Sequence, residues 1–97
     1  LPPHPFRKST TMKDILIVED SKLFSGLLQK RIAKDFLLNC TIKESYQDAE
    51  EHLRQHADRY SLAVLDLTLP GSPDGEIVDL VISKGISVIV VTARMDE

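Results

Sequence analysis

Apolar positions along the chain switch between two periods. Ile15 to Val18 is a short, β-branched run closed by Glu19 and Asp20, the pattern of a strand buried on both faces. Ser21 then offers an N-cap. Leu23, Phe24, Leu27, Leu28 and Ile32 recur at helical spacing while Lys22, Gln29, Lys30, Arg31 and Lys34 take the other side, so an amphipathic helix is expected. Phe36 to Ile42 reads as a second strand and Ser45 to Ala57 as a second helix, with Tyr46, Ala49, Leu53 and Ala57 along one side. Leu62 to Leu67 supplies a third strand, and the Leu-Pro-Gly-Ser-Pro-Asp-Gly segment from Leu69 to Gly75 interrupts strand and helix alike. Asp74 is expected to cap a third helix burying Ile77, Val78, Val81 and Ile82, with Gly85 ending it and Ile86 to Ala93 forming a fourth strand.

The resulting order is βαβαβαβ. Strands apolar on both faces that alternate with helices call for a parallel sheet covered on both sides, with right-handed crossovers. A chain of 97 residues has room for one core. Its 42% apolar and 28% charged residues match an ordinary globular domain. Twelve basic against fifteen acidic residues leave a net charge of -3, with no excess to neutralise a phosphate backbone, so direct nucleic-acid binding is not expected. No run approaches the roughly 18 apolar residues of a membrane helix; no membrane partner is expected. The lone Cys40 has no internal disulfide partner and reads as a small buried hydrophobe in a reducing, cytoplasmic setting. Residues 1–11, with three prolines and no periodicity, read as a disordered leader or an expression remnant, and residues 12–97 as the domain.

In an open parallel sheet, ligands sit beyond the carboxyl ends of the strands. Glu19 and Asp20 end the first strand, Asp66 the third, and Thr92 followed by Ala93 the fourth. Carboxylates held close together repel and raise one another's pKa unless a cation lies among them. An oxygen-only donor set without clustered His or Cys favours Mg²⁺, and with it phosphate chemistry. Each residue also has a plain structural reading. Asp20 can cap the first helix, Glu19 can be a solvated acid, and Thr is common in strands. Asp66 is the hardest to dismiss, because an unpaired acid ending the apolar run Ala63-Val64-Leu65 is costly.

These residues resemble the receiver domains of two-component response regulators. The resemblance runs from Met12 to the chain end and rests on ILIVEDS (15–21), LAVLDLTLPGSPDG (62–75) and VIVVTA (88–93). It implies a flavodoxin-like, doubly wound parallel sheet of order 2-1-3-4 whose fifth βα unit lies beyond this chain. It also implies a signalling switch and not an enzyme, in which Asp66 accepts a phosphoryl group from a sensor histidine kinase or phosphotransfer protein. Mg²⁺ would be held by Glu19, Asp20, Asp66 and the backbone carbonyl of Thr68. Thr92 would be the switch hydroxyl, Ala93 would offer its backbone N–H to the phosphoryl group, and Pro70 matches the family's loop proline. Two departures stand out. The glycine opening the third helix is one position later than usual, after Gly71-Ser72-Pro73, and the strand-five lysine, switch aromatic and signalling face fall outside the chain. A faint resemblance points to a cyclic-dinucleotide synthase as the output.

Two rival readings stay open. A haloacid-dehalogenase-like phosphatase would need a second acid two residues after Asp66, where Thr68 stands. A pseudo-receiver serving only as an interaction module would bind no metal. His52 and His56 have metal-ligand spacing on the second helix, but Glu50, Glu51, Arg54 and Gln55 around them mark a solvated face. His4 falls in the leader, and the Gly71–Gly75 loop lacks the Lys and spacing of a P-loop. The fourth strand, apolar at Val88, Ile89, Val90 and Val91, is expected to leave an open edge through which the chain self-associates.

Overall fold

The computed structural model describes residues 13–91. Four strands alternate with three helices: β1 (Asp14–Val18), α1 (Lys22–Phe36), β2 (Cys40–Lys43), α2 (Tyr46–His56), β3 (Tyr60–Asp66), α3 (Glu76–Ser83) and β4 (Ser87–Val91), with a single 3₁₀ turn at Ala57–Arg59 before β3. The strands form one parallel sheet in the order β2-β1-β3-β4. This is the flavodoxin-like arrangement that the family resemblance implies, with β1 and β3 as the inner strands.

The pleat sorts the apolar runs onto two faces. Leu16, Val18, Ala63 and Leu65 face α2 and α3, whose Ala49, Leu53, Ile77 and Val81 complete the main core. Ile15, Ile17 and Val64 face the other way, against Leu28 and Ile32 of α1. Register pairs Ile17 with Val64 and Val18 with Leu65, so the ends of β1 and β3 finish level. The acids that follow them therefore emerge at one edge.

Several boundaries differ from the sequence expectation. Phe36 belongs to the last turn of α1 and is 61% exposed, and β2 begins only at Cys40. The turn between them is made by Leu37, which adopts a left-handed conformation (φ 58°) and donates its N–H to the Ala33 carbonyl. The face of α1 also differs. Leu23 and Leu27 point to solvent, and Ser25 is buried in their stead, with Leu28 and Ile32 half-buried. Apolar residues on both sides of a helix leave the facing undetermined, and the sheet settled it. Cys40 is half-buried, and burial raises its thiol pKa. β3 starts at Tyr60, two residues before the expected Leu62, and ends at Asp66, leaving Leu67 exposed. In α3, Ile82 is exposed while Ile77 and Val81 are buried. No helix among the described residues is long and apolar enough to cross a membrane.

Candidate functional site

Glu19 follows directly on β1 and keeps its ladder, donating its N–H to the Lys43 carbonyl at 2.9 Å. Its side chain turns inward and is 2% exposed. Oε2 accepts the Ser21 N–H at 2.9 Å, while Oε1 is buried with no hydrogen-bond partner among the described residues. Desolvation raises the Glu19 pKa above its ordinary value, the Ser21 N–H opposes that, and the nearby Asp66 and Asp20 raise it further. Asp20 is exposed. Ser21, and not Asp20, caps α1, its Oγ accepting the Phe24 N–H at 3.2 Å. That removes the plain capping reading of Asp20 and leaves its carboxylate free to face the site.

Asp66, the last residue of β3, is 3% exposed. Its Oδ1 accepts both the backbone N–H and the hydroxyl of Thr68, each at 3.0 Å. Carboxylate oxygens of Glu19, Asp20 and Asp66 all lie within 4.8 Å of one another. The three strand-end acids thus converge, and Thr68 sits against Asp66. Thr92 and Ala93 lie outside the described residues.

The loop that carries Thr68 is pinned at three points. Leu69 is buried in the main core. The Pro70 carbonyl accepts the Tyr46 N–H at 3.1 Å, tying the loop to the start of α2. Ser72 is fully buried, and its Oγ accepts the Ile77 N–H at 2.9 Å. Ser72 thereby does the capping expected of Asp74, whose side chain makes no cap bond; Gly75, at φ 78°, occupies the N-cap position. Only glycine takes that backbone without strain, which accounts for a glycine at the opening of α3. The sequence missed Ser72 because its role depends on the loop folding back, not on spacing.

His52 and His56 lie side by side on α2, with ring centroids 4.9 Å apart and ring planes tilted by 41°. His52 is not simply solvated. It is half-buried and hydrogen-bonded to the Tyr60 hydroxyl at 2.6 Å. Burial lowers its pKa, helped by Lys43, His56 and Arg59. No third metal-binding side chain joins the pair among the described residues, where the grouping of three or more is Glu19, Asp20 and Asp66.

A parallel 2-1-3-4 sheet with three carboxylates gathered at the carboxyl ends of its two inner strands has the architecture of a receiver domain. No family model matches the chain. A curated relative, the transcriptional regulatory protein TctD of Salmonella typhimurium, is 31% identical over 83 residues, which cover 82% of this chain and 35% of the relative. Among solved structures, a chain described as a two-component system response regulator/ggdef domain protein is 32% identical with a TM-score of 0.73, covering 89% of this chain and 34% of that one. The non-phosphorylated HemR receiver domain from Leptospira biflexa is 25% identical with a TM-score of 0.71, over 89% of this chain and 68% of that one. This chain is thus similar to the receiver domains of two-component response regulators. It spans about a third of the length of the first relatives it matches (35% and 34%). The relatives support a role in two-component signalling, and receiver domains are in general signalling rather than enzymatic modules.

Proposed function

We propose that the chain is a phosphorylation-dependent switch in which Asp66 accepts a phosphoryl group from a phosphohistidine of a sensor kinase or phosphotransfer protein. The observation that carries this reading is the convergence of Glu19, Asp20 and Asp66 within 4.8 Å, with Glu19 Oε1 buried and unpartnered among the described residues. A chain gains nothing in stability from such a cluster, since like charges this close repel and a buried bare oxygen is costly. An all-oxygen donor set with an orphaned carboxylate oxygen fits Mg²⁺. Glu19, Asp20, Asp66 and the Thr68 carbonyl would hold it. When bound, the ion supplies positive charge that offsets the carboxylates and the incoming phosphoryl oxygens.

The remaining steps belong to the chain's own residues. The Asp66 carboxylate attacks phosphorus in line, the bond from phosphorus to the donor imidazole breaks, and the imidazole keeps the electron pair and takes a proton from solvent. Burial of Asp66 at the end of β3 limits access by competing nucleophiles. Thr92 and Ala93 would receive the phosphoryl oxygens through a hydroxyl and a backbone N–H. The modification adds about -1.5 to -2 charges to the site, and the altered site would regulate an output module elsewhere in the protein. A cytoplasmic setting, where such donors and Mg²⁺ are found, accords with the free thiol of Cys40. The phosphatase alternative lacks support, because Thr68 holds the place of its general acid and spends its hydroxyl on Asp66.

The test is uptake of phosphoryl from acetyl phosphate, or of beryllofluoride, by the intact protein with Mg²⁺, read by mass spectrometry under mild conditions and by ¹⁹F spectra. One adduct is expected in the wild type and none in Asp66→Asn. An adduct that persists in Asp66→Asn would assign the nucleophile elsewhere.

A further inference from the structure

Two imidazoles on α2 lie apart from the carboxylate cluster and line one open cleft of about 440 Å³. His52 and His56 stand four residues apart, a spacing that puts both rings on one face of the helix. Their centroids are 4.9 Å apart. An imidazole nitrogen binds a transition ion at about 2.0–2.1 Å, and the ring centre lies roughly 1.2 Å beyond that nitrogen. Two rings on one ion, at a ligand angle of about 90 to 110°, therefore have centroids roughly 4.5 to 5.2 Å apart. The observed spacing falls inside that range.

His52 is also held as a ligand would be. Its Nε2 meets the hydroxyl of Tyr60 at 2.6 Å, and Tyr60 is buried at the start of β3. In the tautomer whose Nε2–H is donated to the phenol oxygen, Nδ1 carries a free lone pair. An outer partner of this kind fixes the tautomer and ring orientation of a metal-binding histidine. Burial lowers the His52 pKa, so the ring is mostly neutral near pH 7, the form that binds metal. The charged side chains along the cleft balance, Asp48 and Glu51 against Lys43 and Arg54, so net positive charge does not oppose a cation there.

We propose that His52 and His56 form a site for a divalent transition ion such as Zn²⁺, with His52 bound through the ring nitrogen that Tyr60 leaves free. Water completes the coordination of a site with two protein ligands. Imidazole nitrogen suits Zn²⁺, Ni²⁺ and Cu²⁺, whereas Mg²⁺ takes oxygen, so this site and the carboxylate cluster draw on different ions. His56 is the last residue of α2. An ion bridging it to His52 clamps the final turn of the helix, just before the 3₁₀ turn that leads into β3.

The experiment titrates Zn²⁺ into the intact protein near neutral pH, with Mg²⁺ in excess to keep Zn²⁺ off the carboxylates. Calorimetry reads the uptake and ¹⁵N spectra read the histidine rings. One equivalent is expected, with shifts at His52 Nδ1 and at one nitrogen of His56. His56→Gln, which leaves the His52–Tyr60 bond in place, is expected to weaken uptake by about tenfold or more, since losing even an outer partner of a ligand costs about 10- to 100-fold. His4→Gln, at the chain's remaining histidine, leaves uptake unchanged. Absence of saturable uptake, uptake lost in His4→Gln, or equal uptake by the wild type and a His56→Gln protein with native circular dichroism overturns the site. A shift at His52 Nε2 in place of Nδ1 overturns the role given to Tyr60.

Discussion

Replacing Glu19 by Gln keeps the shape of the side chain and removes one of three clustered charges. At separations of at most 4.8 Å and an effective dielectric of about 20, each like-charge pair costs ~3.5 kcal/mol or more before solvent screening. Solvent around the exposed Asp20 reduces its share. Gln also trades the charge-assisted bond from the Ser21 N–H for a neutral one, losing about 1 kcal/mol. The net expectation in chelator is a variant more stable than the wild type by about 1 to 2 kcal/mol, and a melting point higher by ~4–8 °C for each kcal/mol in a domain of this size. The difference also depends on pH in a defined direction. The folded-state pKa of Glu19 lies above its ordinary 4.5, so folding favours the protonated form. The wild type loses stability as pH rises from 4.5 through the raised pKa, and the variant does not. Mg²⁺ reverses the order. The wild type is stabilised by mass action, about 2.7 kcal/mol at a hundredfold excess over Kd, while the variant, with one carboxylate fewer, needs on the order of tenfold more ion. Differential scanning calorimetry over a pH series, with chelator and with graded Mg²⁺, measures all of this. A variant less stable than the wild type in chelator, together with an unshifted Mg²⁺ midpoint, would refute the charge-cluster reasoning.

Two further outcomes are expected. The pKa of His52 is lowered in the fold, chiefly by burial, below its ordinary 6.5; its contribution to stability is present above 6.5 and is lost as pH falls below 6.5 through the folded value. Chemical denaturation of the wild type and His52→Gln across that range should show the wild type's advantage shrinking on acidification, and parallel curves would remove the His52–Tyr60 contact from the explanation. The 97-residue chain should associate as its concentration rises, because β4 pairs only with β3 among the described residues and leaves Ile89 and Val90 49% and 43% exposed. Sedimentation velocity tests this, with Ile89→Lys expected to restore the monomer; a wild type that stays monomeric at every concentration would show the edge to be protected.

The parts of the molecule that were legible in sequence are those where cost is concentrated. Glu19 and Asp66 each close an apolar run, and an acid in that position has few innocent explanations. The inner strands were legible for the same reason, being apolar on both faces. Helix facing was not, because Leu23 and Leu27 continue the apolar spacing of Leu28 and Ile32 and only contact with the sheet chooses between the two stripes. The start of β2 was hidden by Phe36, whose aromatic ring suits a strand but sits in the last helical turn. Ser72 and the Tyr46–Pro70 bond were out of reach, since both depend on a loop returning to elements distant in sequence.

The two buried acids are treated unequally, and the inequality fits the separate roles proposed for them. Asp66 is supplied with two donors on one oxygen, from a residue held by a loop anchored through Leu69, Pro70 and Ser72. It is fixed in orientation, and no hydrogen bond reaches its second oxygen among the described residues. Among the described residues Glu19 receives one donor and keeps Oε1 buried and bare. If the cluster served the fold, the bare oxygen would be the one to satisfy, and a neighbouring hydroxyl or N–H would do so at the cost of a single substitution. A nucleophile needs a fixed rotamer and one free oxygen; a cation ligand needs an oxygen that no proton donor already holds. Asp66 meets the first requirement and Glu19 the second. The unsatisfied atom of Glu19 is thus the feature that a purely structural account of the site leaves unexplained and a cation-binding account requires.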